Sequence, residues 1–239
     1  MQATKAEFEH RFWIILAIYF VAFGLNAVDH LSFIVWLRHL IAPSIESQTQ
    51  GAEAFAQMVI FFIGAPLIFL SAAIRTWGAA YLRTSVVHDT AQHSEALVAD
   101  GPFRYTRNPL YLANLPMAAG IGVLASRTGF VFLVIANWIF VYRLIFREEA
   151  ALRNSQGESY AAYCRSVPRF WPALWPRVPS GNLEPKWGQA FAGETFVWFF
   201  GIAEMAIAVT LDPRFGYALF GLGLVAHFVI SRRIQQQKK

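Results

Sequence analysis

Two polar segments hold the side chains best suited to chemistry. The first, GPFRYTRNPLYL (Gly101–Leu112), sets Arg104, Arg107 and Asn108 between Pro102 and Pro109. Proline stiffens both edges, and Pro109 suits the first turn of a helix, where a missing N–H costs nothing. Free backbone N–H groups at such a helix start, with arginines beside them, suit a carboxylate or a phosphate. The second segment, REEAALRNSQGESYAAYCRSVPRFWP (Arg147–Pro172), offers Glu148 and Glu149. Their carboxylates accept hydrogen bonds from ribose hydroxyls or from an ammonium group. Tyr105, Tyr111, Tyr160 and Tyr163 add rings that stack on an adenine. An anion site, an acid and aromatic rings together suit a nucleotide-like or amino-acid-bearing cofactor.

Other chemistries lack their residues. There is no GxGxxG after a strand, no Walker lysine loop, no Gly-x-Ser-x-Gly and no pair of histidines at metal spacing, so no metal is expected. The single cysteine, Cys164, excludes an internal disulfide framework and reads as an incidental surface thiol.

The elements that must position these residues are apolar. Of 239 residues 56% are hydrophobic and only 15% charged, which reads as an integral membrane protein. Six runs are long enough to cross, or nearly so: Phe12–Leu37, Gln57–Tyr81, Leu110–Ala125, Gly129–Phe146, Phe191–Leu211 and Phe215–Ile230. The fold expected is an all-α, polytopic helix bundle of about six transmembrane helices. All Lys and Arg except Arg38, Arg127 and Arg214 then fall on one face. The positive-inside rule puts that face, both termini and both polar segments in the cytoplasm. The net charge of +5 therefore reads as topology and contact with anionic lipid, and no nucleic-acid partner is expected. No cleavable signal peptide is expected, because the first apolar run is too long for one.

Inside that first run, Asn26, Asp29 and His30 share one helical face at i, i+3, i+4. An acid there must meet other helices or a wet cavity. It is either glue between helices or the lining of an acceptor pocket. Gly64 and Pro66 mark a kink in the second run, and Arg75 lies near its end.

The motifs are more specific than the single residues. Gly-Pro-Phe-Arg-Tyr-x-Arg-Asn-Pro-x-Tyr-Leu at 101–112 is followed by Glu-Glu-x-x-Leu at 148–152. Then come Gly-x-x-Tyr-x-x-Tyr at 157–163 and Val-Pro-Arg-Phe at 167–170. In order and spacing this resembles the isoprenylcysteine carboxyl methyltransferase family, itself similar to the phospholipid N-methyltransferases. The resemblance covers about a third of the chain, Glu95 to Pro172. It implies a multi-span membrane enzyme that binds S-adenosyl-L-methionine between the loop before one helix and the end of the next. It implies cofactor contacts from Glu95, Leu97 and Val98, from Gly101, Phe103, Arg104 and Arg107, from Asn108, Pro109, Leu110 and Tyr111, and from Glu148, with His88 as a further polar contact. The substrate-facing arginine of the family is approximated by Arg143 or Arg147, and Glu149 joins them as a catalytic candidate. Asn26, Asp29 and His30 are the acceptor-side candidates.

The division expected is 1–81 (two spans), 82–176 (methyltransferase core) and 177–239 (linker and two further spans). Glu95 and Asn108 stand where prenylcysteine enzymes usually carry histidines, which leaves the acceptor open. It is a lipophilic or small molecule presenting a carboxylate, a thiol or an amine. The site expected faces the cytoplasm from a bacterial inner membrane. A membrane sterol-type reductase using NADPH and a non-catalytic lipid-binding protein are the rival readings.

Overall fold

A computed structural model describes residues 2–41, 50–88 and 99–236. The architecture is all-helical. Apart from one bridge between Ser32 and Ser126, no β-structure occurs among the described residues. The helices are α1 (Lys5–Glu9), α2 (Arg11–Gly24), α3 (Phe33–Ile41), α4 (Gln50–His88), α5 (Pro109–Gly122), α6 (Arg127–Ser166), α7 (Trp187–Thr210) and α8 (Pro213–Gln236). Single 3-10 turns stand at Leu25–Ala27 and Gly101–Arg104.

Four segments are long and apolar enough to cross a membrane: Phe61–Leu82 of α4, α6, α7 and Pro213–Ile230 of α8. The remaining apolar elements, Arg11–Ala27 and α5, are shorter. Outward faces match a lipid solvent. Val131, Ile135 and Ile139, one turn apart on α6, are each about half exposed, and apolar side chains in that position lose nothing to hydrocarbon. Inner faces are small. Ala65 and Ala72 of α4 are fully buried, and so is Ala118 where α5 meets α2 and α6, which lets backbones approach closely.

The first apolar run does not form one helix, and the shared helical face expected for Asn26, Asp29 and His30 is corrected here. α2 ends at Gly24, the chain turns through Leu25–Leu31, and α3 starts afresh. Short polar side chains cause the break by satisfying backbone groups that a helix would have used. Asp29 Oδ1 accepts from Leu31 N at 3.1 Å, and Ser32 Oγ accepts from Val35 N at 3.3 Å to cap α3. Asn26 Oδ1 accepts from Ser126 N at 2.7 Å, while Asp29 Oδ2 accepts from Thr128 N at 3.0 Å. Arg127 approaches the same oxygen at 3.4 Å. These contacts tie the turn to the start of α6. A carboxylate at a helix N-terminus is favoured there by the exposed N–H groups.

α6 continues well past the bilayer-spanning part. It bends at Gly157, whose φ of 57° and ψ of −129° leave the helical region and suit only glycine. The limb beyond the bend carries Tyr163 to the loop before α5, where its hydroxyl donates to Phe103 O. The second polar segment is therefore mostly helix.

Candidate active site

The two polar segments meet. Gly101–Asn108 and Pro168–Val178 lie side by side, joined by main-chain hydrogen bonds. Arg107 N donates to Pro168 O (2.9 Å), Ala173 N to Tyr105 O (2.9 Å) and Arg177 N to Arg104 O (2.8 Å). Side chains add to the seam. Arg104 Nε donates to Val178 O (2.9 Å), Thr106 Oγ1 to Phe170 O (2.8 Å) and Tyr163 Oη to Phe103 O (2.7 Å).

Gly101 starts the loop with φ 55°, and the Tyr81 ring occupies the space a Cβ there would take. Both facts demand glycine. Asp100 clips the outer edge: it is buried, and its carboxylate accepts from Ser180 Oγ (2.7 Å) and Leu183 N (3.0 Å). Burial pushes its pKa up, but the hydrogen bonds from Leu183 N and Ser180 Oγ outweigh burial. The net effect holds the carboxyl below its usual value of 3.8.

Beneath the seam lies a charged node. Glu149 is 3% exposed. Its Oε1 meets Arg107 Nη1 at 3.2 Å and Asn108 Nδ2 at 3.2 Å, and its Oε2 meets Arg169 Nε at 3.0 Å. Asn108 Nδ2 also donates to Arg169 O at 2.9 Å, and Arg169 stacks over Phe146 at 4.7 Å. One carboxylate thus holds two arginines and the asparagine that precedes α5. Cys164, read from sequence as a surface thiol, is half-buried with its Sγ 2.7 Å from Arg107 Nη1.

The adjacent Glu148 points elsewhere. Successive residues on a helix diverge by about 100°, so one acid of the pair faces the node and the other faces a cavity of about 940 Å³. At its polar end this cavity is lined by Phe103, Arg107, Asn108, Tyr111, Glu148, Gln156, Tyr160 and Tyr163. Glu148 and Tyr111 both line this end. The other end runs down between α2, α5, α7 and α8 past Phe23, Met117, Phe196, Phe200 and Phe220. A volume at the top of the range for a drug-sized ligand, polar at one end and apolar at the other, has room for two different molecules.

Of the residues singled out from sequence, Phe103, Arg107, Asn108, Pro109, Leu110, Tyr111 and Glu148 line the cavity. Gly101 and Arg104 shape the loop behind it. Glu149 does not line it and acts on the loop instead. Arg143 and Arg147 clasp the N-terminal arm. Arg143 Nη2 pairs with Glu7 Oε2 at 2.7 Å, and Arg147 Nη1 donates to Ala3 O at 3.0 Å. Asn26, Asp29 and His30 sit at the opposite end of α5 and α6, outside the lining. Glu95, Leu97 and Val98 lie outside the described residues, as does the side chain of His88. Sequence reasoning missed Tyr19, Arg75, Asn114 and Gln156 in the lining. For Arg75 and Asn114 a signal existed: polar side chains within apolar runs face an interior by default.

Residues 59–159 match the model of the phospholipid methyltransferase family. Two curated relatives share the region at low identity. One is the cobalt-zinc-cadmium resistance protein CzcN of Cupriavidus metallidurans, 25% identical over 56% of this chain and 59% of its own length. The other is the nickel-cobalt-cadmium resistance protein NccN of Alcaligenes xylosoxydans xylosoxydans, 22% identical over 54% of this chain and 58% of its own. The match thus spans under two thirds of either relative. No solved structure matches the chain. Among the described residues no group of three metal-ligating side chains occurs.

Proposed function

We propose that the protein is an S-adenosylmethionine-dependent methyltransferase of the membrane that acts on a lipophilic acceptor. One observation carries the reading: a single cavity joins the polar motif residues to an apolar channel between helices. The match of residues 59–159 to the phospholipid methyltransferase family supports the methyl-transfer part.

The residues at the polar end fit the cofactor. Glu148 faces the cavity and suits its ammonium group or ribose hydroxyls, Arg107 and Asn108 suit its carboxylate, and Tyr160, Tyr163 and Phe103 offer rings to its adenine. When bound, the cofactor supplies an electrophilic methyl group on a sulfonium. The protein's share is positioning and exclusion of water. The node at Glu149 fixes Arg107 and Asn108, and the seam with Pro168–Val178 closes the roof. α2 packs on α6, whereas α7 and α8 pack on each other and α7 on α4. The apolar channel between α2 and the α7–α8 pair therefore supports lateral entry of the acceptor from the bilayer. The distribution of Lys and Arg supports an orientation with the polar end toward the cytoplasm.

The test is isothermal titration of the detergent-solubilised chain with S-adenosylhomocysteine, with NADPH in parallel. Saturable binding of the first alone is expected. Binding of NADPH alone would move the protein to the reductases.

A further inference from the structure

The ribbon Pro168–Val178 has an outer edge that the cavity does not use. Trp171, Leu174 and Trp175 are 65%, 88% and 75% exposed, each more open than Val131, Ile135 or Ile139 on the lipid face of α6. Large apolar groups clustered in the open mark a contact surface. The backbone beneath them is irregular, yet much of its polarity is already met. Pro168, Pro172 and Pro176 have no N–H to satisfy. Ala173 N and Arg177 N donate to Tyr105 O and Arg104 O. The carbonyls of Pro168, Arg169 and Phe170 accept from Arg107 N, Asn108 Nδ2 and Thr106 Oγ1. Non-helical backbone is tolerated at membrane depth where the protein itself satisfies it.

Depth points the same way. Phe170 is buried in one cluster with Leu112 and Leu115 of α5 and Val141 and Ile145 of α6. Its ring lies 5.1 Å from those of Trp138 and Tyr142, and the Trp171 ring lies 5.9 Å from Trp138. Trp138 follows Ile135 by three residues, which makes the two neighbours on the helix surface and continues the lipid-facing stripe. Arg143, the first charge on α6 after Arg127, comes five residues beyond Trp138, about 7–8 Å along the axis. The ribbon therefore reaches below that charge, to a level where α6 still faces hydrocarbon. Just past it Arg177 is exposed, and its guanidinium has no partner among the described residues.

We propose that Trp171, Leu174 and Trp175 insert into the adjoining leaflet, with Arg177 at its phosphates, so that the ribbon is a membrane wedge as well as a roof. The partner is the lipid surface itself and not an acceptor, since none of these four residues lines the cavity. Continuity argues for lipid over a protein partner. The patch extends the lipid face of α6 on one side, and on the other Trp187 and Phe191 stand about half exposed at the start of the α7 span. Indole rings favour the boundary between acyl chains and headgroups, and an unpaired guanidinium beside them suits a phosphate. The inner edge of the same ribbon holds Gly101–Asn108 by main-chain hydrogen bonds. The bilayer thus supports the roof of the cavity from outside, whatever chemistry the cavity performs, and the inference does not rest on methyl transfer.

The test is tryptophan quenching in vesicles of the full chain, with phosphatidylcholine and phosphatidylglycerol brominated along the acyl chains as one quencher and iodide in the buffer as the other. The emission lost in Trp171→Phe and in Trp175→Phe gives the signal of each ring. Brominated chains are expected to remove at least about half of each signal and iodide almost none, as for side chains seated in the acyl boundary. Leu174→Asp supplies the second arm, with the Trp175 signal read from the same difference in that background. It should weaken bromine quenching of Trp175 roughly twofold, because a charge resists insertion. Its thermal midpoint in detergent should stay where it was, because so open a side chain supports no packing. Quenching by iodide with none by bromine would place the ribbon in water and overturn the proposal. Shielding from both quenchers would overturn it in favour of a protein cover, such as a second copy of the chain. A midpoint lowered by Leu174→Asp, or bromine quenching left unchanged by it, also overturns the wedge.

Discussion

Glu149 decides whether the charged node is scaffold or chemistry, and Glu149→Ala tests it. The substitution leaves Arg107, Arg169 and Asn108 without their shared acceptor. Removing one partner from a buried ion pair costs about 3–5 kcal/mol. Arg107 is nearly buried, with a side chain 9% exposed, but Arg169 is 34% exposed and regains water. The lower end of that range therefore applies. For a chain of this size about 3 kcal/mol lowers the midpoint of thermal unfolding by about 10 °C. Scanning fluorimetry in detergent reads the midpoint, and titration with S-adenosylhomocysteine on the same samples reads the site. Midpoint and affinity are expected to fall together, because the node holds the loop that lines the cavity. Glu148→Ala is the control. Its carboxylate faces the cavity, so affinity should fall with the midpoint nearly unchanged. A Glu149→Ala protein with an unshifted midpoint and normal cofactor affinity but no turnover would refute the scaffold role and return Glu149 to catalysis.

Other outcomes follow from single contacts. Gly101→Ala forces a Cβ into the Tyr81 ring at a positive φ, and should lower the thermal midpoint by more than the 1–2 kcal/mol of left-handed strain alone, roughly 5 °C or more. Tyr163→Phe removes the hydrogen bond to Phe103 O and should cost about 1 kcal/mol, read in the same scan. Asp100 has its pKa lowered in the folded state. Its contribution is therefore complete above the unfolded value near 3.8 and is lost as pH falls through the lower folded value. Asp100→Asn should flatten that acid limb in thermal scans across pH 2–6, and an unchanged limb would show that other carboxylates dominate it.

The parts of the fold visible in sequence were those written in rigid residues at fixed spacing. Pro102, Pro109 and Gly101 announced a loop entering a helix, and the Arg104–Asn108 and Glu148–Glu149 segments face each other as a hairpin requires. Other features depend on neighbours distant in sequence. Phe12–Leu37 reads as one hydrophobic run because composition cannot register that Asn26 and Asp29 find partners at Ser126 and Thr128. The Glu-Glu pair cannot say which acid faces inward, since that depends on where the helix lies relative to Arg107 and Arg169. Arg75 read as the end of a span until α7 supplied Glu194 and α5 supplied Asn114. The two additional helices were visible as apolar runs, but their share in the cavity wall was not.

That wall bears on how the protein is made. Phe196, Phe200 and Phe220 belong to α7 and α8, which are synthesised after the Glu-Glu motif, and the carbonyls that roof the polar end begin at Pro168. When the ribosome has finished the Glu-Glu motif, the cavity has neither roof nor far wall, and lipid chains can occupy the space beside α2 and α5. Completion of the C-terminal hairpin converts a groove filled by the bilayer into a chamber with its own contents. The cavity is therefore complete only once α7 and α8 are in place.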